Sequence, residues 1–414
     1  RFMEYVRRAV SRYQGRGIVW EIWNEPNHPD FWAPAPNQDD YFALANEVSQ
    51  YINTNLPREY ICLGGTAGID RDWLDPLFQR GILRFIDAVA VHPYRGWKPE
   101  TALNEYTMLR FKVDKHRGRR NIDLINSEWG YPVGVWELDS YKQQTYTSRM
   151  YLVAQMAGLA LNLYFSWKDL EDYHGDHVGT MGMLTKQNEI KPSYNIQKFL
   201  AERLNGFRLV TRLRNTNVND VILLYTDGSK QKLVVYTEDN LTRQVNLSLN
   251  SGKVKAYTPD GTITEYTFGS MGSFLPVNGY PTVIEPASTM SVLNYAAMTG
   301  GMPLSAMVAD TAGAVRLMGA TLQMAKSTAF APNVDVQLID EPTGSTPYRK
   351  EVHYFTKSTL PPLDDRGALN KFFAKFPFVI DPNPTPRKVT LVISMGIHGK
   401  FTQQVMVYKP SAVN

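Results

Sequence analysis

Residues 20–27 read Trp-Glu-Ile-Trp-Asn-Glu-Pro-Asn, an apolar run that ends in the carboxylate of Glu25 and is followed at once by proline. Proline has no backbone N–H and cannot continue the ladder of a central strand, so the run predicts a β-strand that stops at Glu25. Successive side chains of a strand point to opposite faces, which predicts that Glu21, Trp23 and Glu25 share one face. The stretch therefore predicts a strand with an acidic and aromatic face at its carboxyl-terminal end.

Five apolar runs occur in the first half of the chain, and amphipathic stretches separate them. The apolar runs span 18–23, 60–64, 88–92, 124–128 and 161–167, and we predict that each forms a strand. Apolar residues recur at a spacing near 3.6 in the predicted helices 38–54, 98–116 and 140–158. Strands that alternate with helices indicate parallel βα units, whose sites lie at the carboxyl-terminal edge of the sheet. The fourth run ends in a second carboxylate, Glu128.

The sequence pattern changes twice after the βα units. From about 207 to 287, short alternating strands are interrupted by Asp-Gly turns at 227–228 and 260–261, which predicts an antiparallel β-sandwich domain. After it, a Met-rich stretch and extended segments at 334–339, 351–355, 376–380 and 389–395 predict a mostly-β module of unknown role. We therefore predict three domains with the bounds 1–206, 207–287 and 288–414.

The composition excludes several classes of function. The 44 basic and 40 acidic residues leave a net charge of +4, and the longest basic cluster, 115–120, falls in a predicted loop, so we expect no nucleic-acid partner. No apolar run approaches the roughly 18 residues that span a bilayer, so membrane insertion is not expected. The one cysteine, Cys62, lies in an apolar run and is predicted to be a small buried hydrophobe.

Paired carboxylates at one edge of a sheet indicate cleavage of a glycosidic bond. That reaction needs a protonated acid at the leaving oxygen and a second carboxylate at the oxocarbenium-like centre. A lone glutamate at a strand end is more often a helix cap or an ion-pair partner, so the prediction depends on the pairing of Glu25 with Glu128. His174, Asp176 and His177 suggest metal ligands, but no further ligands follow at a suitable spacing. We expect no metal and no other cofactor.

Several motifs of this sequence resemble the strand-end signatures of clan A glycoside hydrolases. Trp-Asn-Glu-Pro-Asn at 23–27 is similar to the fourth-strand signature, and Ser-Glu-Trp-Gly at 127–130 is similar to the seventh. Ala-Val-Ala-Val-His-Pro-Tyr at 88–94 resembles the end of the sixth strand, and Met-Leu at 183–184 followed by Lys-Pro-Ser-Tyr at 191–194 resembles the run after the eighth. Within the clan, the chain looks most like the family that includes β-xylosidases, α-iduronidase and bacterial exopolysaccharide endoglycosidases, family 39. The resemblance covers residues 1 to about 286.

The resemblance implies that residues 1–206 carry strands four to eight of a (β/α)8 barrel. It also implies a retaining hydrolase of β-linked polysaccharide or oligosaccharide, with Glu25 as acid/base and Glu128 as nucleophile. The substrate-binding residues that it implies are Asn24, for the sugar 2-hydroxyl, His92, Tyr94 beside the nucleophile, and Trp167 as an aromatic platform. From this substrate class we expect an extracellular or cell-surface location.

Three other tryptophans at the ends of predicted strands are candidates for sugar binding. Trp129 is assigned to the substrate site, although its pattern fits a core residue equally well. Trp97 and Trp136, each after a strand, are candidate platforms for sugars farther from the cleaved bond.

Two questions stay open at the level of sequence. A complete barrel needs three further βα units before Arg1, so we expect that they belong to a longer chain, come from a separate chain or are rearranged. A rival interpretation makes the hydrolase portion a truncated or inactive scaffold that binds carbohydrate or has a structural role, with 288–414 mediating self-assembly. Transglycosylation through the same covalent intermediate would use the same motifs.

Overall fold

The computed structural model describes residues 1–170, 177–213, 219–247, 252–268 and 274–286, together with the backbone of seven strands between 303 and 407. The chain divides into two compact units. The first unit comprises Arg1–Trp97, Met108–Ser140 and Tyr151–Ile190. The second comprises Lys98–Thr107, Tyr141–Met150 and Lys191–Asn414. The three-domain division stays a prediction.

Five parallel strands form the sheet of the first unit. They are β1 (Val19–Asn24), β2 (Tyr60–Ala67), β3 (Ala88–His92), β4 (Asp123–Trp129) and β5 (Leu161–Tyr164). Each strand pairs with its neighbour in the sequence, in the order β1-β2-β3-β4-β5, and every pair is parallel. The five parallel strands predicted from the apolar runs are confirmed.

Six α-helices occur within the described residues. They are α1 (Phe2–Tyr13), α2 (Gln38–Asn55), α3 (Arg71–Gln79), α4 (Ala102–His116), α5 (Ser140–Ala157) and α6 (Pro192–Leu204). Helix α2 begins where the side chain of Asn37 accepts hydrogen bonds from two backbone N–H groups, and Asp70 caps α3 by accepting one, from the N–H of Trp73. The three helices predicted between the strands are confirmed, although the second begins with the 3-10 turn Pro99–Thr101. None of the described helices has the length and apolar character needed to cross a bilayer.

Burial is greatest at the centre of the parallel sheet. All five residues of β3 are buried, as expected for a strand with covered faces. The outer strands differ, because Val19 of β1 and Leu161 and Leu163 of β5 are exposed. The most enclosed strand is therefore the one that ends in His92.

The second unit contains antiparallel sheets. A six-stranded sheet has the order β11-β10-β13-β8-β7-β6, and a two-stranded sheet pairs β12 with β9. These strands are β6 (Arg208–Leu213), β7 (Asp220–Thr226), β8 (Gln231–Thr237), β9 (Arg243–Asn246), β10 (Gly252–Tyr257), β11 (Ile263–Phe268), β12 (Phe274–Val277) and β13 (Thr282–Pro286). Both sheets contribute to one core, in which Val235 and Ile284 cluster with Val245 and Leu275. The β-sandwich stays a prediction for this segment.

Seven further strands follow in the second unit. They are β14 (Pro303–Thr311), β15 (Ala314–Leu322), β16 (Val334–Asp340), β17 (Arg349–Phe355), β18 (Asn370–Phe372), β19 (Arg387–Ser394) and β20 (Lys400–Val407). They form a three-stranded sheet, β14-β15-β18, and a four-stranded sheet, β17-β16-β19-β20. The strand predicted at 376–380 lies outside the described residues.

A buried ion pair lies within the second unit. Arg149 donates from its guanidinium to both carboxylate oxygens of Glu100, at 2.8 and 2.7 Å, and the two side chains are 0% and 4% exposed. Arg149 also donates to the backbone oxygens of Thr237 and Glu238 and to the side chain of Asn240. Burial alone would raise the pKa of Glu100, but the adjacent guanidinium holds it below its ordinary value. Both charged side chains of the pair therefore have hydrogen-bond partners in their buried position.

We predict that Arg149→Met destabilises the second unit strongly, because it leaves the carboxylate of Glu100 buried without a partner. Breaking a buried pair in this way costs about 3–5 kcal/mol. Hydrogen exchange of peptides from β7 and β8, followed by mass spectrometry, would measure the loss. We expect the most protected amides to exchange on the order of hundreds to thousands of times faster.

Lys198→Met is the matched control, because Lys198 pairs with Glu202 on the surface of the same unit, where the side chains are 58% and 66% exposed. Exposed pairs contribute less than about 1 kcal/mol. Equal exchange rates in the Arg149 and Lys198 variants would contradict a stabilising role for the buried pair.

Candidate active site

The carboxyl-terminal ends of β1, β3 and β4 bring the predicted catalytic glutamates to one place. Because parallel strands end at a common edge of the sheet, residues that follow β1 lie beside the last residues of β3 and β4. His92 is the last residue of β3, Glu25 follows β1, and Glu128 lies next to the end of β4. The sheet therefore joins residues that are distant in the sequence.

His92 is the centre of this arrangement. Its Nδ1 lies 2.8 Å from Oε1 of Glu25 and its Nε2 lies 3.0 Å from Oγ of Ser127. Oε2 of Glu128 is 3.8 Å from Nδ1, and Oε1 of Glu21 is 3.8 Å from Nε2. The His92 side chain is 2% exposed, whereas Glu25 and Glu128 are 11% and 27% exposed. One buried imidazole thus lies within 3.8 Å of three carboxylates, each of which keeps part of its surface exposed.

Glu21 supports the far side of this imidazole. Its Oε1 accepts hydrogen bonds from the backbone N–H of Gly65 at 2.7 Å and from Oγ of Ser127 at 3.1 Å. A Cβ on residue 65 would lie 2.2 Å from Nε2 of His92 and 2.7 Å from Oε1 of Glu21. Glycine is required at this position because the imidazole and the carboxylate fill the space of a side chain.

Glu128 is held by Tyr94. The Tyr94 hydroxyl donates to Oε1 of Glu128 at 2.5 Å. Burial, followed by the negative charge of Glu128, raises the pKa of Tyr94 above its ordinary value, so the phenol stays protonated and remains a donor. The second oxygen of Glu128, Oε2, faces the imidazole of His92 at the distance given above.

The carboxylates also control the charge of His92. Burial alone would lower the pKa of His92, but the carboxylates of Glu21 and Glu25 and then the charge of Glu128 outweigh burial and raise it to about 9. At neutral pH the imidazole is therefore a cation. It offsets part of the mutual repulsion of the carboxylates around it.

The predicted face of β1 is partly wrong. Asn24 pairs with Gly65 while Trp23 has no partner in the register, and Trp23 has a φ of 72° and Glu25 a φ of 43°. Both values lie in the left-handed region, where non-glycine residues are uncommon. This break in the strand lets Trp23 pack against Phe2 and Trp32, whereas Glu25 contacts His92. The strand ends at Asn24, one residue before the predicted carboxylate, and Trp23 does not share the environment of Glu21 and Glu25.

The remaining predicted residues occupy different environments. Asn24 is exposed at the end of β1, and Trp167 is 63% exposed after β5. Trp129 has none of its surface exposed and packs against Tyr131, with the guanidinium of Arg95 over its ring. We therefore replace the predicted substrate contact of Trp129 by a packing role.

The metal alternative lies partly outside the described residues, because His174 and Asp176 belong to the stretch 171–176 and the side chain of His177 is not described. Within the part of the chain that the structure describes, no cluster of three or more histidine, cysteine, aspartate or glutamate side chains is arranged to hold a metal ion.

The sequence did not predict the supporting roles of Ser127 and Gly65. It placed Glu21 on the face of Glu25 but did not predict which residues Glu21 contacts. A signal was present, since two adjacent glycines in the apolar run of β2, Gly64 and Gly65, indicate a close approach by other groups. The identity of those groups depends on the register of three strands.

Comparison with solved structures shows that this chain is similar in fold to TIM-barrel glycoside hydrolases. A family 39 glycoside hydrolase from the gut symbiont Bacteroides cellulosilyticus WH2 matches with a TM-score of 0.58 and 18% identity, over 67% of this chain and 60% of that chain. A family 39 β-xylosidase from Caulobacter crescentus gives 0.49 and 17%, over 69% and 70%. A family 30 endoxylanase from Clostridium papyrosolvens C71 gives 0.48 and 14%, over 69% and 70%.

These likenesses concern fold alone. This chain spans less than two thirds of the Bacteroides structure. No protein-family profile matches the chain, and no curated protein matches it.

We predict that the stability of the first unit depends on pH through His92. A pKa raised from 6.5 to about 9 contributes stability that is fully present below pH 6.5 and is lost as the pH rises through 9. The loss should approach about 3 kcal/mol. Denaturant unfolding followed by tryptophan fluorescence measures it, because all eight tryptophans lie within the spans of the first unit.

His92→Gln should remove this component of the pH dependence. His28→Gln is the control, because His28 is half-exposed, 3.7 Å from Asp30. An unchanged pH profile in the His92 variant would contradict the assigned charge.

Proposed function

We propose that this chain is a retaining glycoside hydrolase of β-linked polysaccharide or oligosaccharide, with Glu25 as general acid/base and Glu128 as nucleophile. The observation that carries the proposal is the convergence of these two carboxylates on the imidazole of His92. Both side chains keep part of their surface open, so both could contact a substrate.

The spacing of the two carboxylates is compatible with a retaining mechanism. Because oxygens of Glu25 and Glu128 lie 2.8 and 3.8 Å from the same nitrogen, their separation cannot exceed the sum of these distances, about 6.6 Å. Retaining enzymes hold their carboxyl groups roughly 5–5.5 Å apart, and inverting enzymes roughly 6.5–9.5 Å apart. This limit on the nearer oxygens is compatible with the retaining spacing.

The proposed reaction has two displacements. In the first, Glu128 bonds to the anomeric carbon as the bond to the leaving oxygen breaks, and Glu25 transfers a proton to that oxygen. In the second, water attacks the anomeric carbon, Glu25 accepts a proton from that water, and the ester bond to Glu128 breaks. The proton that Glu25 accepts from water in the second displacement replaces the one that it donated in the first.

Tyr94 has a positioning role in the first displacement. Its hydroxyl holds one oxygen of Glu128, which fixes the carboxylate plane and leaves the second oxygen for attack. The Tyr94 hydroxyl also stabilises the Glu128 carboxylate before its bond to the sugar forms, so this hydrogen bond does not make Glu128 more reactive. Tyr94 therefore contributes by orienting the carboxylate.

His92 orients Glu25. The imidazole is cationic at neutral pH and shares a hydrogen bond with Oε1 of Glu25, which fixes the position of that carboxyl group. Ser127 and Glu21 fix the opposite nitrogen of the ring. The ring orientation is therefore set from both sides.

The substrate contacts follow from the same placement. Asn24, beside Glu25, is the proposed ligand of the sugar 2-hydroxyl, and the exposed ring of Trp167 is the proposed platform under the sugar at the cleaved bond. A polysaccharide of this kind would be met outside the cell or at its surface, which is the proposed location.

We predict opposite chemical rescue in the two glutamate variants. Glu25→Ala should lose at least about a hundredfold in kcat, and azide should restore activity by entering the cavity and giving a β-glycosyl azide. Glu128→Ala should lose more than Glu25→Ala on every substrate, and azide should give the α-anomer. Release of nitrophenol from a panel of nitrophenyl β-glycosides, with NMR of the azide products, measures both effects.

Glu47→Ala, a change on the solvent side of α2, is the control. The proposal would be contradicted if a variant that lacks both Glu25 and Glu128 still hydrolysed the glycosides. A wild-type product with inverted anomeric configuration would also contradict it.

A further inference from the structure

Two exposed tryptophans stand beside the candidate active site without a role in it. Trp97, five residues after β3, is 53% exposed, and Trp136, seven residues after β4, is 48% exposed. Both follow the strands that carry His92 and Glu128, so they lie at the same edge of the sheet. Large aromatic side chains are mostly buried in folded proteins, and exposed clusters of them mark interaction sites.

The two tryptophans belong to one surface, because their loops contact each other. A Cβ on Gly96 would lie 2.6 Å from Cβ of Trp136 and 3.0 Å from its Cγ. Trp136 therefore rests directly on the backbone next to Trp97. The hydroxyl of Tyr131, in the loop after β4, donates to the backbone oxygen of Trp97 at 3.2 Å.

The loop after β4 holds the backbone of Trp136 in a left-handed conformation that non-glycine residues disfavour. Trp136 has a φ of 52° and the next residue, Glu137, a φ of 59°. Two successive non-glycine residues in the left-handed region persist only where surrounding contacts hold them, and such strain is concentrated at functional positions. Here Gly134 and Leu138 close the turn through a backbone hydrogen bond of 2.7 Å.

The same loop is anchored at its base. The hydroxyl of Thr180 accepts from the N–H of Val133 and donates to the oxygen of Val133, both at 2.9 Å. The ring of Trp136 is thus presented by a fixed loop, and binding would not require the loop to become ordered.

We propose that Trp97 and Trp136 form a binding surface for pyranose units of an extended β-glycan, beyond the sugars at the cleaved bond. The axial C–H groups of a β-linked pyranose form an apolar face that stacks on an indole ring, while its hydroxyls remain in water. Trp97 is three residues after Tyr94, and Trp136 follows the strand that carries Glu128, so we infer that one glycan chain occupies both places. This inference rests on the proposed function and makes its substrate a polymer that is cut internally.

The experiment compares variants that keep or remove the aromatic faces. Trp97→Leu with Trp136→Leu removes both rings but keeps apolar side chains, and Trp97→Phe with Trp136→Phe keeps a ring at each position. Tyr5→Leu is the control, because Tyr5 is a more exposed aromatic residue on α1. All are made in a Glu128→Gln background, so that the glycan is not cut during binding.

Affinity electrophoresis in gels that contain xylan, mixed-linkage β-glucan or glucomannan measures binding. We expect at least one polymer to retard the parent. The affinity for that polymer should weaken tenfold or more in the double leucine variant and less than threefold in the double phenylalanine and Tyr5 variants. In the active background, the ratio of kcat/KM on that polymer to kcat/KM on a nitrophenyl β-glycoside should fall at least tenfold in the double leucine variant.

Retardation that is equal in the double leucine variant and the parent would overturn the inference, as would a parent that no polymer retards. If the nitrophenyl glycosides are still hydrolysed, either result leaves the proposed hydrolase in place. A chain that binds a polymer through the two tryptophans but hydrolyses no glycoside would instead overturn the proposed function and keep the binding surface.

Discussion

The hydrogen bond between Nδ1 of His92 and Oε1 of Glu25 is the interaction on which the site depends. It joins the end of the most buried strand, β3, to the residue that follows β1, and β2 lies between them. This contact across β2 requires that Gly65 has no side chain. In the same place Glu128 reaches the imidazole from β4. A charged cluster can be tolerated there because one cation is shared among the carboxylates, and Glu21 and Glu128 accept further hydrogen bonds.

The sequence predicts the parallel sheet well, because apolar runs and amphipathic stretches are local properties of the chain. Its failures occur where long-range contacts override local rules. Period-two alternation assumes a regular strand, and the backbone breaks at Trp23, where packing against Phe2 and Trp32 takes the ring away from Glu25. The orientation of Trp129 likewise depends on neighbours that a single strand does not reveal.

The candidate site shows the same division between local and long-range information. Glu25, Glu128, His92 and Tyr94 are marked by strand-end motifs, and the structure brings all four together. The support that Ser127 gives to His92 depends on the register of separate strands, which the motifs do not encode. In the second unit, the pairing of buried charges across long stretches of chain is equally invisible to pattern analysis, since each charge alone reads as a surface residue.

The central claim is that Glu128 forms a covalent bond to the sugar, and trapping of that bond tests it most directly. The protein would be incubated with a panel of 2-deoxy-2-fluoro β-glycosides carrying good leaving groups, and intact mass and peptide mapping would follow. Our account predicts one added fluoroglycosyl unit on the peptide that contains Glu128, and no adduct in Glu128→Gln. An adduct on a different carboxylate, or turnover of glycosides with no trapped species from any sugar, would contradict it.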